Sequence, residues 1–152
     1  MPGERHVLVD TSVLYPFDDA PGLTVTEQDR QRANDIVGGV QTGDLPKARV
    51  LTSVQQETFD PLQNEQGQNA VRRMVSFLRQ SPNFELYSPR EKVIEAGRRI
   101  MEQRSQFEFT DGQIVAYLNQ LDQQHRVVYT VDGKFDNVTG ITPLPSAYNP
   151  YV

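Results

Sequence analysis

His6-Val7-Leu8-Val9-Asp10-Thr11-Ser12-Val13-Leu14 is the stretch on which the fold turns. An unbroken apolar run stops abruptly at an acid followed by two hydroxyl residues. Such a run, without polar alternation, is the pattern of a short strand buried on both faces. Similar segments recur at 49–53, 84–87, 126–131 and 140–144. Between them the apolar residues change to helical spacing: Ala33, Ile36, Val37 and Val40; Val71, Met74, Val75 and Leu78; Val93, Gly97, Ile100 and Met101. Buried strands alternating with amphipathic helices imply a three-layer α/β/α fold around a mostly parallel sheet of about five strands.

In sheets of this kind a ligand binds beyond the carboxyl ends of the strands, at the switch point of the topology. Asp10 closes the first strand, Glu57 lies just past Val50–Val54, and Asp132 closes Arg126–Val131. Asp111 opens a further amphipathic helix. Parallel, adjacent strands would gather these acids at one edge, where their mutual repulsion calls for a hard divalent cation. Mg²⁺ or Mn²⁺, with all-oxygen ligands, suits that chemistry.

Each acid also has a simpler reading. Thr110-x-x-Gln113 forms a capping box that puts Asp111 in a first helical turn, worth about 0.3–1 kcal/mol without catalysis. Asp10 or Ser12 could cap a short helix, Asp132-Gly133 is a common turn dipeptide, and Glu57 could be an exposed helix residue. Only the joint placement of the four favours a site.

Composition bounds the rest. The 152 residues are 37% hydrophobic and 23% charged, with no cysteine, which excludes disulfides and thiolate metal sites. The expectation is a single domain over 1–152, ending in an irregular Pro-rich tail from about residue 145. No run approaches the ~18 apolar residues of a membrane span, and the N-terminal apolar stretch reads as a strand, not a signal peptide. The cytoplasm is the expected location. Net charge is −5, but residues 67–106 hold eight Arg and Lys against four Glu, a local balance of +4. Arg72, Arg73, Arg98 and Arg99 are therefore candidate phosphate contacts, and equally well solvated helix charges.

Several chemistries are absent. There is no G-x-G-x-x-G after the first strand and no G-x-x-x-x-G-K-[ST]. An aspartyl-phosphate phosphatase would want a second Asp where Ser12 stands. His6 and His125 belong to no motif with the acids.

Val9-Asp10-Thr11-Ser12-Val13-Leu14 resembles the opening motif of PIN domains. Phe109-Thr110-Asp111-Gly112-Gln113-Ile114-Val115-Ala116 resembles their third motif, and Tyr129-Thr130-Val131-Asp132-Gly133-Lys134-Phe135 their fourth. Ile141-Thr142-Pro143-Leu144 is similar to the final strand, and Glu57 fits the family's helix after the second strand, with Asp60 one turn away as a competitor. The likeness runs from about residue 6 to 145. It departs at Ser12, where many members carry Asn, and at Lys134, where many carry another acid. Asp136 stands just beyond and could take that place.

The resemblance implies a Mg²⁺- or Mn²⁺-dependent ribonuclease, and in particular a VapC-like toxin that cuts RNA, is held by a small antitoxin and forms a homodimer. It makes Asp10, Asp111 and Asp132 metal ligands. Glu57 becomes a fourth catalytic acid, bound to a second ion or orienting water. Ser12, Thr130 and Asp136 would support the ligands. The alternatives are an RNA-processing PIN nuclease without an antitoxin, and a non-catalytic PIN module that binds RNA or protein.

Overall fold

The aliphatic runs form five short strands: β1 (Val7–Val9), β2 (Ala48–Leu51), β3 (Phe84–Tyr87), β4 (Val127–Tyr129) and β5 (Thr142–Leu144). They belong to a computed structural model that describes residues 7–15, 26–121, 126–131, 133–135, 138 and 141–144. The strands make one sheet in the order β3-β2-β1-β4-β5, and every pair is parallel. The α/β architecture expected from the sequence is thus the one observed. The tail from about 145 lies outside the described residues.

Among the described residues, six α-helices lie between β1 and β4. These are α1 (Thr11–Leu14), α2 (Glu27–Thr42), α3 (Thr52–Gln66), α4 (Gln68–Gln80), α5 (Glu91–Gln103) and α6 (Phe109–Leu118). The chain moves outward from β1 to β2 to β3, then returns through α5 and α6 to β4 on the other side of β1. Right-handed crossovers put α2 to α4 on one face and α5 and α6 on the other. The reversal of direction makes the gap between β1 and β4 the switch point of the sheet.

Local chemistry explains the boundaries. Thr26 and Asp29 cap α2 reciprocally, and α2 stops at Gly43, whose φ of 85° is left-handed. Gly67, with φ of 89°, separates α3 from α4. The second strand ends at Leu51, two residues earlier than its apolar pattern suggests, because Thr52 already begins α3. The expected stripe on α4 is only partly sunk: Ala70 and Leu78 are buried, whereas Val71, Met74 and Val75 are half-buried.

The core lies under β1 and β4. Val7, Leu8, Val9, Val127, Val128 and Tyr129 are fully or almost fully buried, each large aliphatic contributing about 1.5–3 kcal/mol. The Tyr129 hydroxyl, unable to stay dry without a partner, donates to the Pro46 carbonyl at 2.8 Å. α6 is buried from Thr110 through Leu118. It is a core helix, not the one-sided amphipathic helix its opening suggests. Among the described residues, no helix is long and apolar enough to cross a membrane.

Candidate active site

Asp10 sits at the carboxyl end of β1, next to the switch point, and is 4% exposed. Its amide donates to the Tyr129 carbonyl at 2.9 Å, locking it to the end of β4. Although Asp10 holds the N-cap position of α1, its side chain makes no capping bond. The capping reading of Asp10 is therefore not realised.

Its carboxylate is held by two hydroxyls. Ser12 Oγ donates to Asp10 Oδ2 at 2.8 Å, and Thr130 Oγ1 donates to the same oxygen at 3.1 Å. Ser12 Oγ in turn accepts the Val131 amide at 3.2 Å. The relay runs from the backbone after β4, through Ser12, to the acid after β1. Two strands 120 residues apart in sequence are joined by one buried oxygen. Two hydroxyl donors on one oxygen fix the orientation of the carboxylate. Beside it, Thr11 Oγ1 is buried with no hydrogen-bond partner among the described residues.

Asp111 is 3% exposed. Its surroundings differ from the sequence expectation. α6 begins at Phe109, with Glu108 as N-cap, and the capping box pairs Glu108 with Asp111 instead of Thr110 with Gln113. Asp111 Oδ2 accepts the Glu108 amide at 3.0 Å. The helix begins two residues earlier than expected because Glu is a poor N-cap by composition, and Thr110 looked the better one. Thr110 is buried instead.

The crossing of α5 and α6 fixes where Asp111 stands. A Cβ on Gly97 would lie 2.8 Å from the Gln113 backbone nitrogen, and one on Gly112 would overlap the Gly97 carbonyl. Backbone meets backbone here, next in sequence to the acid.

Glu57 is half-buried on α3 and lines a cleft of about 540 Å³ together with Asp60, Ser53, Thr110, Phe109 and Gln113. Neither Asp10 nor Asp111 is in its walls. Among the described residues, no group of three or more His, Asp or Glu could hold a metal ion. Asp132 and Asp136 lie outside the described residues. Of the four expected acids, the structure thus buries Asp10 and Asp111, sets Glu57 in a cleft with Asp60, and leaves Asp132 undescribed. The donors that are present are carboxylates and hydroxyls only. That set fits a hard cation such as Mg²⁺ or Mn²⁺ and does not suit a soft one.

The arginine candidates separate. Arg98 on α5 is exposed and its guanidinium lies 5.8 Å from the Phe109 ring centroid, beside the Glu57 cleft. It also pairs with Glu95 at 3.4 Å. Arg99 is exposed on the same helix. Arg72 and Arg73 border a different cavity on α4, with Ser76, Phe77 and Gln80. Sequence reasoning missed Phe109 and Gln113 as cleft residues. Gln113 reads as half of a capping box and Phe109 only as part of a motif, because a cleft formed with α3 leaves no local pattern.

No protein-family model matches this chain, and no curated protein matches it either. Solved structures do. VapC20 of Mycobacterium tuberculosis, a sarcin-ricin loop cleaving toxin, superposes with a TM-score of 0.65 at 17% identity, over 88% of this chain and 95% of that one. A toxin–antitoxin complex from Klebsiella pneumoniae gives 0.55 at 15% identity, over 90% of this chain and 95% of that one. The α/β/α fold of this chain is therefore the one seen in VapC20, in keeping with the PIN-like architecture that its motifs resemble.

Proposed function

We propose that this chain is a Mg²⁺- or Mn²⁺-dependent endoribonuclease and the toxin of a toxin–antitoxin pair. The observation that carries the proposal is Asp10: a buried carboxylate at the switch point, held by Ser12 and Thr130 and not used as a helix cap. An acid buried at the switch point of a parallel sheet, with no helix-capping role, is a functional-site candidate.

Asp10 and Asp111 would hold the ion, with Asp132 completing the set. A bound divalent cation would lower the pKa of water and neutralise charge at the scissile phosphate. The chain's own residues supply the rest. Ser12 and Thr130 keep Asp10 aimed, as hydrogen-bonded supports do for metal-binding carboxylates. Glu57, half-buried in its cleft, would orient the attacking water or meet a second ion. Asp136 would take the acid position where Lys134 stands. Arg98 and Arg99 offer positive charge on α5, and Arg72 and Arg73 on α4, for phosphates. Fold likeness to VapC20 and to a toxin–antitoxin complex supports an RNA substrate and an antitoxin partner. A homodimer and a cytoplasmic location belong to the same reading.

A second reading rests on Asp111, whose carboxylate already has structural work in the Glu108 capping box. If that is its whole role, the chain is a PIN-like module that binds RNA or protein without cutting.

Cleavage of a total RNA pool by the purified protein separates the two. Discrete fragments in Mg²⁺ or Mn²⁺ that vanish with EDTA and with Asp10→Asn are the expected result. No cleavage in either metal, by a folded protein, favours the binding module.

A further inference from the structure

The Glu57 cleft carries features that a metal site does not need. Phe109 stands at its wall and is 37% exposed, the exposed large hydrophobic side chain among the described residues. Arg98 lies over that ring. Gln113 also lines the cleft and is only 4% exposed, yet no hydrogen bond holds its side-chain amide among the described residues. Ser53 Oγ, at the same cleft, is buried without a partner. At the cleft wall the Gln113 amide has solvent contact, so a ligand seated there can take the hydrogen bonds that water would otherwise make.

We propose that this cleft is a nucleobase subsite and that its preferred occupant is an unpaired guanine of a single-stranded RNA segment. The proposal rests on the ribonuclease reading above and names the base it selects. Its volume of about 540 Å³ falls within the range of roughly 300–1,000 Å³ typical of small-ligand sites. Unstacked RNA bases are bound by stacking on aromatic rings and by hydrogen bonds to their Watson–Crick edges. Phe109 provides the ring, and Arg98 beside it provides charge for the neighbouring phosphate.

The polar groups choose among the bases. Asp60, exposed on α3 and in the cleft wall, is an acceptor only. Guanine presents two adjacent donors, N1–H and the N2 amino group, which a carboxylate can accept together. Its O6, next along the edge, accepts from the Gln113 amide. Uracil offers one N–H flanked by carbonyls that a carboxylate repels. Adenine and cytosine offer an amino group beside a ring nitrogen that is itself an acceptor. A carboxylate with an amide therefore favours guanine by repulsion of the other bases as well as by attraction.

The test is fluorescence anisotropy with labelled heptauridylates carrying G, A, C or U at the centre, using the full chain in EDTA so that binding is read without cleavage. The guanine oligomer should bind about ten-fold more tightly than the other three. Phe109→Ala should weaken all four about ten-fold, because stacking does not depend on the base. Asp60→Asn and Gln113→Met should each bring guanine down to the level of adenine. Asp60 is exposed, so its variant keeps the test valid even if Gln113→Met does not fold. Equal affinity for the four oligomers, or a Phe109→Ala variant that binds as well as the original, would overturn the proposal. Guanine-selective binding without cleavage in either metal keeps the subsite and discards the nuclease. Cleavage with base-indifferent binding does the reverse.

Discussion

Gly97 of α5 and Gly112 of α6 face each other so closely that a Cβ on Gly112 would overlap the Gly97 carbonyl oxygen. The two helices touch through backbone, and the obstacle on either side is main chain that cannot rotate away. Asp111 precedes Gly112, so this crossing sets the position of the acid. Gly112→Ala and Gly97→Ala should each destabilise the fold by about 1–3 kcal/mol or more, the usual range for overpacking. Urea unfolding measures it. In a variant that still folds, RNA cleavage should fall further than stability, since α6 must shift and carry Asp111 with it.

Ser12 and Thr130 share one oxygen of Asp10. Ser12→Ala removes a donor and also strands the Val131 amide. It should cost about 1–2 kcal/mol, with Thr130→Val at the lower end. Both should lower metal-dependent cleavage about 10–100-fold. The double variant should lose less than the two single losses combined, because the residues act on one carboxylate. Additive losses in a double-mutant cycle would contradict a shared role.

Asp111 offers two substitutions with different outcomes. In Asp111→Asn the amide oxygen can still accept the Glu108 amide, so the cap survives while the charge is lost. In Asp111→Ala both go. Thermal melting should show little change for the first and a loss of about 1 kcal/mol for the second. Cleavage and the Mn²⁺-induced rise in melting temperature should vanish in both. A variant that keeps cleavage and the Mn²⁺ effect would reduce Asp111 to a cap.

Tyr15 reports on the alkaline side. Its hydroxyl donates to Glu65, and that bond, followed by burial, raises its pKa above the ordinary tyrosine value, with Gln66 opposing. A raised folded-state pKa means the protonated form is the one the fold stabilises. The contribution is full below about pH 10 and is lost as pH rises through the folded value. Melting temperature against pH should therefore fall more steeply above pH 10 in the original protein than in Tyr15→Phe.

Arg49 joins the sheet to α6. Its guanidinium donates to the Tyr117 hydroxyl at 2.6 Å and to Glu85 at 3.3 Å, and lies 4.4 Å from the Tyr87 ring centroid. Burial lowers its pKa, but the Tyr117 bond and the charge of Glu85 outweigh it and the net shift is upward. Tyr117→Phe removes a partner of a half-buried cation and should cost about 1–3 kcal/mol in urea unfolding, without altering the cleavage pattern.

Much of this was legible in the residues themselves. A short, Val-rich apolar run that ends at Asp10 reads as a buried strand with its acid at the carboxyl end, because it is too short for a helix and without polar alternation needs cover on both faces. Helical spacing between such runs then required parallel crossovers. The same pattern located the strands at 84–87 and 142–144 within a residue or two. These are local and periodic properties, and sequence carries them directly.

The three-dimensional fold decided what depends on distant partners. That Thr130 and Ser12 meet on one oxygen of Asp10 follows from β1 and β4 lying side by side, which no spacing announces. That Glu108 caps α6, and that Thr110 turns inward, was settled by packing against α5, where tertiary contact overrides the preference for Thr as a cap. Glu57 shares its cleft with Asp60 and Gln113, and not with Asp10, because α3 starts directly from β2 and aims it there. The sequence by itself determined the alternation of strand and helix and the acid at the end of β1. Only the tertiary structure decided which polar groups face one another, because hydrogen bonds and close helix contacts are set by ångström geometry between segments far apart in the chain.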